Sequence, residues 1–404
     1  MRNLAHIISL FVCLCILGGC SNRRQPRSTT IEVSHTVPVV FDVEKALLHP
    51  TDSFVINDIA ATIRLIRLRT PADVFINTFR FQAAVFDGGF AISSAGKGNL
   101  VDKILLFDGN GQYLKPALIQ GHGHGELPRI WKWSVCQDTL YAIGDKNILR
   151  YSKNANVSLI SKESDMITDV VPLRQRWMVY FPPWTFLPDR VTSLSLKFAD
   201  RLDGSVHTLQ MPVPVISRNK LIDNPGIDKG NMERAILSAS YNGDALFKNI
   251  YNDTLYRVVS PGEVYPEAVL YTGRFHPRHR YAEDRQMKER TAMIDVVSET
   301  SRYIIVRCLY QGERYVLFWD KRTKENVASL PMRYEGSFTE MCFICPVWYR
   351  APGGERLVVN LLYFGEDRIV ACLMPEHIPA LSPDSIQEDN CHEENPVLLE
   401  ILLK

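Results

Sequence analysis

Beyond residue 20 the chain has no apolar run long enough to cross a bilayer, which takes about 20 residues, so no later segment is expected to span a membrane. It also has almost no net charge: 46 Lys+Arg stand against 45 Asp+Glu, a formal +1. That balance removes long-range attraction to nucleic acid, which is not expected as a partner. There is no nucleophile elbow and no His-Glu-x-x-His helix. Gly96-Lys97-Gly98 lacks the upstream glycine and the following Ser/Thr of a phosphate loop. Cys342-Phe343-Ile344-Cys345 has redox or metal spacing, but no second pair and no following His completes a zinc or haem site. No cofactor is expected. Helical periodicity is scarce too, and Tyr281–Met293 is the one convincing stretch.

The N-terminus does carry information. Arg2 precedes an apolar run from Ile7 to Leu17, then Gly18-Gly19-Cys20 and the polar Ser21-Asn22-Arg23-Arg24. A positive start, an apolar centre and small residues before a cut describe a secretory signal. The Cys directly after them resembles a bacterial lipoprotein signal, in which that Cys is acylated. Residues 1–19 are therefore expected to be removed, Cys20 to be lipidated, and residues 20–36 to form a polar tether. Of the nine cysteines, six lie beyond the signal: Cys136, Cys308, Cys342, Cys345, Cys372 and Cys391. They are far apart and mostly in apolar runs, so they read as buried thiols rather than a disulfide framework.

From residue 37 to 404 short β-type runs alternate with turn residues. Ala61–Leu68 alternates as a half-buried strand. Asp108-Gly109-Asn110-Gly111 and Gln311-Gly312-Glu313 separate β-type runs as hairpin turns do, because these residues tolerate positive φ. Groups of strands begin near residues 75, 128, 167, 233, 293 and 338. Several short strands per long repeat are the signature of a propeller blade. The fold class expected is all-β: a six-bladed β-propeller of four-stranded antiparallel blades over 37–404. Two stacked β-sandwiches would use the same strands, but radial stacking buries every blade face and closure leaves no terminal face exposed.

Phe107–Glu126 reads FDGNGQYLKPALIQGHGHGE. With Asn252-Asp253-Thr254-Leu255-Tyr256 and the ending Asn395-Pro396-Val397-Leu398, it resembles the six-bladed β-propeller lipoproteins of Bacteroidetes, many of them domains of unknown function. Gly121, Gly123, Gly125 and Glu126 match that family's glycine-rich segment, whereas His124 stands where the family usually has Pro. The resemblance implies a propeller at the cell envelope, on the outer membrane, and no settled activity.

The conspicuous local segment is Gly121-His122-Gly123-His124-Gly125-Glu126. Its N–H groups could form an anion nest, or its glycines could simply turn the chain from blade to blade, the reading preferred here. His122, His124 and Glu126 form a possible metal group, although solvated histidines are favoured and no metal site is expected. His276 and His279 lie in a basic loop. Trp184, within Phe181–Pro188, is a candidate binding aromatic, equally readable as packing. Trp131 and Trp133 alternate, one expected in the core and one between blades. No catalytic residues are assigned. The function expected is a non-enzymatic, lipid-anchored propeller that binds an envelope protein or a glycan through its loop face. The rival is a propeller hydrolase or lyase acting on a polysaccharide or small molecule at the central channel. Two arginines and no acid follow Cys20 directly, which favours the periplasmic side.

Overall fold

The computed structural model describes residues 38–404 except 52, 77–80, 96–100, 124–125, 137–138, 145–146, 153–156, 163–168, 175, 182–189, 203–204, 218–235, 250–251, 278–289, 333–344, 374–376 and 379–394. Six sheets account for its strands. After β1 (Val39–Asp42), helix α1 (Val43–Leu48) and β2 (Ala60–Arg67), blade 1 comprises β3 (Gln82–Phe86), β4 (Gly89–Ala95), β5 (Val101–Phe107) and β6 (Tyr113–Ile119). Blade 2 comprises β7 (Lys132–Cys136), β8 (Thr139–Ile143), β9 (Asn147–Ser152) and β10 (Val157–Lys162). Blade 3 comprises β11 (Asp169–Pro172), β12 (Trp177–Phe181), β13 (Arg190–Asp200) and β14 (Val206–Ser217). Blade 4 comprises β15 (Ile236–Ala239), β16 (Ala245–Lys248), β17 (Thr254–Ser260) and β18 (Glu263–Tyr271). Blade 5 comprises β19 (Met293–Glu299), β20 (Tyr303–Tyr310), β21 (Glu313–Asp320) and β22 (Glu325–Met332). Blade 6 comprises β23 (Pro346–Arg350), β24 (Arg356–Phe364), β25 (Arg368–Leu373) and β26 (Val397–Leu403).

The packing shows a ring of blades. Among the described residues there are six apolar clusters, one for each seam between neighbouring blades. Phe247 and Val258 of blade 4 meet Phe198 and Leu196 of blade 3. On the opposite face, Leu246 and Leu255 meet Ile304 and Leu317 of blade 5. Both faces of a blade are thus buried, as period-2 alternation of apolar side chains permits. Two face-packed sandwich layers would bury only one face of each. The strands β3, β7, β11, β15 and β19 touch in succession, and β24 touches β3. The protein is a six-bladed β-propeller.

Two blades depart from four antiparallel strands. The N-terminal β2 adds to the C-terminal β26 as a fifth, antiparallel strand, joining the two ends of the chain. β1 adds to β18 in parallel. Both cover an edge that would otherwise expose unpaired N–H and C=O groups. Helix α1, not anticipated from the sequence, is one and a half turns started by Asp42, whose carboxylate accepts the Lys45 N–H at 2.8 Å. It buries Val43, Ala46 and Leu47 over the seam of blades 4 and 5. The helix expected over Tyr281–Met293 lies largely outside the described residues, and Met293 opens β19.

The turns follow local chemistry. Gln311 (φ 53) and Gly312 (φ 79) both take positive φ between β20 and β21, the tight hairpin geometry the sequence implied. In the turn after β5, the Asp108 carboxylate accepts the N–H groups of Asn110 and Gln112, each at 2.9 Å.

Candidate functional site

The turns after β11, β15 and β19 and the turn after β24 meet at one mouth of the ring. Arg174 N–H donates to Gly243 O at 2.5 Å, and Ser301 N–H donates to Glu366 O at 2.9 Å. Between them lies the densest polar cluster among the described residues. At its centre is Arg257, in β17 on the face toward blade 5, with only 6% of its side chain exposed. Its guanidinium grips Glu267 through Nε and Nη2, each at 2.9 Å, and Glu299 at 2.8 and 3.1 Å. Nη1 donates to Ser240 Oγ at 3.1 Å. Lys321 Nζ donates to Glu299 at 2.7 Å, and Ser240 Oγ donates to the same carboxylate at 2.5 Å. Asp244 stands 3.6 Å from the guanidinium. The half-buried Tyr241 turns its ring under the Lys321 ammonium, 4.7 Å away.

Local backbone places these groups. Gly243 (φ 82) permits the tight β15–β16 turn that presents Tyr241, Asn242 and Asp244. Glu267 is the extra residue of a bulge, since Leu255 faces Ala268 while Tyr256 faces Pro266. A bulge re-aims a side chain, here onto Arg257. The same device recurs in β19. Ile294 faces Cys308, Val296 faces Arg307, and the extra residue Asp295 grips Arg307 at 2.9 and 2.6 Å.

Burial alone would lower the Arg257 guanidinium, yet the hydrogen bonds and charges of Glu267 and Glu299 outweigh it and hold the group above its ordinary value. Burial would raise the Glu267 carboxyl, but Arg257 holds it below. The Tyr241 phenol is pushed up by burial and then by the Glu299 charge. Arg257 and Glu267 therefore hold one another as an ion pair, fixed in place by the hydrogen bonds of Glu299 and Ser240 to the same guanidinium.

The same seam has a second polar site at its opposite end. Lys248 is 2% exposed, and its Nζ donates to Asn249 O at 3.1 Å. Burial lowers its amine to about 8, against the opposing charge of Asp253. The Asp253 carboxylate accepts from Thr272 N–H at 2.9 Å and from Thr272 Oγ1 at 2.8 Å, and it lies 3.1 Å from His276 Nδ1. Burial would raise this carboxyl, but the His276 and Thr272 hydrogen bonds hold it low. Asp253 belongs to the strand entry noted in the sequence, where Asn252 Oδ1 accepts Thr254 N–H at 2.9 Å.

The glycine segment lies apart from both sites, between blades 1 and 2. Gly123 N–H donates to Glu126 Oε2 at 2.7 Å, and Gly121 N–H to Leu127 O at 2.9 Å. A Cβ on Gly121 would fall 2.0 Å from Glu126 Oε2. The carboxylate of Glu126 thus occupies the place an external anion would take. His124, Gly125, His279, Trp184 and Cys20 lie outside the described residues. No group of three or more His, Cys, Asp or Glu that could hold a metal occurs among the described residues. Cys136, Cys308, Cys345 and Cys372 are buried and free, while Cys342 and Cys391 lie outside the described residues. Trp133 packs in the seam of blades 1 and 2, but Trp131 is 41% exposed rather than buried, because β7 begins only at Lys132. Among the described residues no helix is long and apolar enough to cross a membrane.

Sequence reasoning did not single out Arg257, Glu267, Glu299 or Lys321. One signal was present. Arg176-Trp177 with Asp200-Arg201 in blade 3 and Arg302-Tyr303 with Asp320-Lys321 in blade 5 are the same phrase. In both blades the arginine pairs with the aspartate. The residue after the aspartate donates its N–H to the arginine carbonyl at 2.8 Å in each. Aligning the blades on it would have placed Lys321 and Glu299 at the mouth.

The fold has solved relatives. A Bacteroides fragilis protein described as exported superposes with a TM-score of 0.59 at 14% identity, over 91% of this chain and 100% of that one. A DUF4221 family member from Bacteroides vulgatus gives 0.49 at 9% identity, over 86% of this chain and 97% of that one. No curated protein matches the sequence. The family model described as a domain of unknown function, DUF4934, matches residues 38–399, and the chain belongs to that family.

Proposed function

We propose that this propeller is a binding module of the cell envelope, tethered through lipidated Cys20 to the periplasmic side of the outer membrane, and that it engages a glycan or an envelope protein at the channel mouth beside Tyr241. The supporting observation is the state of the Arg257 cluster. Its carboxylates are already held by Arg257, Lys321 and Ser240, with the Glu299 side chain fully buried. Such groups form a rigid floor under Tyr241 and Asn242 rather than acids and bases free to exchange protons. The exported description of the Bacteroides fragilis relative agrees with the address.

The test is a glycan array and an envelope pull-down with the full chain and with Tyr241→Ala. Binding by the wild type and its selective loss in the variant are expected. No ligand on either platform, or equal binding by both proteins, overturns the reading. Mass spectrometry that finds residues 1–19 intact and Cys20 bare removes the anchor.

A hydrolase or lyase has its own supporting observation at the opposite end of the seam. Asp253 holds Nδ1 of His276, the arrangement that leaves Nε2 for acid–base work. Turnover of a polysaccharide that His276→Ala abolishes, without a change in melting temperature, would favour this reading over binding.

A further inference from the structure

Strand β1 enters the fold at the outer edge of blade 4, where Val39–Asp42 pairs in parallel with Ala268–Tyr271. The two strands share their faces. Phe41 and Leu270 turn inward and are buried in the seam of blades 4 and 5. Period-2 alternation puts Val40, Val269 and Tyr271 on the opposite side. The register makes Val40 the neighbour of Val269, with Tyr271 two residues further along the same face. Val40 is 56% exposed and Tyr271 47%, with Val269 half-buried beside them. Asp42 lies on this side too, but its carboxylate is turned to the start of α1, where it accepts the Lys45 N–H. Glu44 is held by Arg274, through the backbone N–H at 3.1 Å and Nε at 2.9 Å. A Cβ on Gly273 would collide with the Glu44 carboxylate, so this glycine is what lets α1 lie so close. Asp42 and Glu44 are thus matched by Lys45 and Arg274, and the corner carries no net charge. Pro38 directly precedes β1, so the tether expected over residues 20–36 joins the fold here. The 19 residues from Cys20 to Pro38 reach at most about 65 Å.

We propose that this corner of blade 4 rests on the membrane to which Cys20 is anchored, with the Tyr271 ring at the headgroups and Val40 and Val269 against the apolar boundary. Tyrosine suits that position because one end of its ring is apolar and the other is wet. Lipid is the occupant because the tether ends at this surface, which keeps the two at high effective concentration, and because no net charge opposes an anionic bilayer. The inference rests on the lipidation proposed above and adds an orientation to it. Tyr271 ends β18 at the opposite end of blade 4 from the β15–β16 turn, so the mouth beside Tyr241 points away from the bilayer.

The test replaces Val40, Tyr271 or, as the control, Leu202 by photoreactive benzoylphenylalanine in the full lipidated chain, reconstituted into vesicles of phosphatidylethanolamine and phosphatidylglycerol. Leu202 is 79% exposed but lies in a turn of blade 3. Lipid adducts, read by mass spectrometry, are expected at positions 40 and 271 and not at 202. Tyr271→Asp should lower the adduct at position 40 about fivefold, because a charge repelled by anionic headgroups replaces an apolar ring. Tyr271→Trp should keep it. Equal lipid adducts at all three positions, or none at 40 and 271 while the protein stays with the vesicles, overturn the proposal and leave the anchor standing. So does an unchanged adduct at position 40 in Tyr271→Asp, and so do adducts to protein in place of lipid. Protein that leaves the vesicles, with Cys20 found bare, overturns the anchor and the orientation together.

Discussion

The two ends of the seam between blades 4 and 5 bury a cation in opposite ways. At one mouth Arg257 sits among Glu267, Glu299 and Ser240, and its guanidinium is held above its ordinary value. At the other end Lys248 is buried too, but among the described residues its ammonium bonds to the carbonyl of its own neighbour, and burial lowers its amine to about 8 against the charge of Asp253. The middle of the seam is apolar at both approaches, with Leu246 and Leu255 from blade 4. Both cations are buried, and their company differs. A buried charge gripped by carboxylates on two sides keeps its proton, whereas one without an ion pair among the described residues, with only the more distant Asp253 charge to help it, is penalised for holding it.

Arg257→Met breaks the comparison hardest. It leaves Glu299 wholly buried with Lys321 and Ser240 alone, and such losses cost about 3–5 kcal/mol. The urea midpoint should fall accordingly, and a variant as stable as wild type would show the cluster to be incidental. Lys248→Met should do the reverse. The shift from 10.5 to about 8 corresponds to a penalty of about 3 kcal/mol at neutral pH. The unfolded chain binds the extra proton between those values, so the wild type gains stability as pH rises from about 8 to 10.5. The variant should be more stable below pH 8, and its advantage should vanish above about 10.5.

Asp253→Asn sharpens the same contrast. The carboxyl is depressed below 3.8, so its contribution is present above that value and disappears as pH falls through the lower folded value. The substitution should cost about 1–2 kcal/mol at pH 7 and flatten the acid limb of the stability profile. The smallest effect is expected far from the seam. Glu126→Ala frees the Gly123 N–H in an exposed loop and should cost about 0.5–1.5 kcal/mol. A larger loss there would mean that the glycine segment carries more of the fold than its hydrogen bonds show.

The strands were legible because each obeys a local rule. The strand read over Ala61–Leu68 is β2 (Ala60–Arg67), and the turn read at Gln311-Gly312-Glu313 joins β20 to β21. The closing strand expected after Asn395-Pro396 is β26, paired with β2. The sites were not legible in the same way. Arg257 and Glu299 are 42 residues apart and meet only because two blades face each other. Glu267 and Asp295 reach their arginines through bulges, and one extra residue in a strand leaves no mark in the alternation beyond an acid at an otherwise apolar run. The glycine segment drew attention because its composition is odd, but its anion is internal: the Glu126 carboxylate, three residues from Gly123.

By itself the sequence determined the number of strand groups, their turns and the all-β class, because period-2 burial and positive-φ turns are properties of a few consecutive residues. It also carried the repeated Arg-aromatic and Asp-cation phrase of blades 3 and 5. Only the tertiary structure decided that the ring is closed by strands from both ends of the chain, and which buried charges find partners. Those outcomes depend on which blade faces come together, a long-range property that no short window of residues contains.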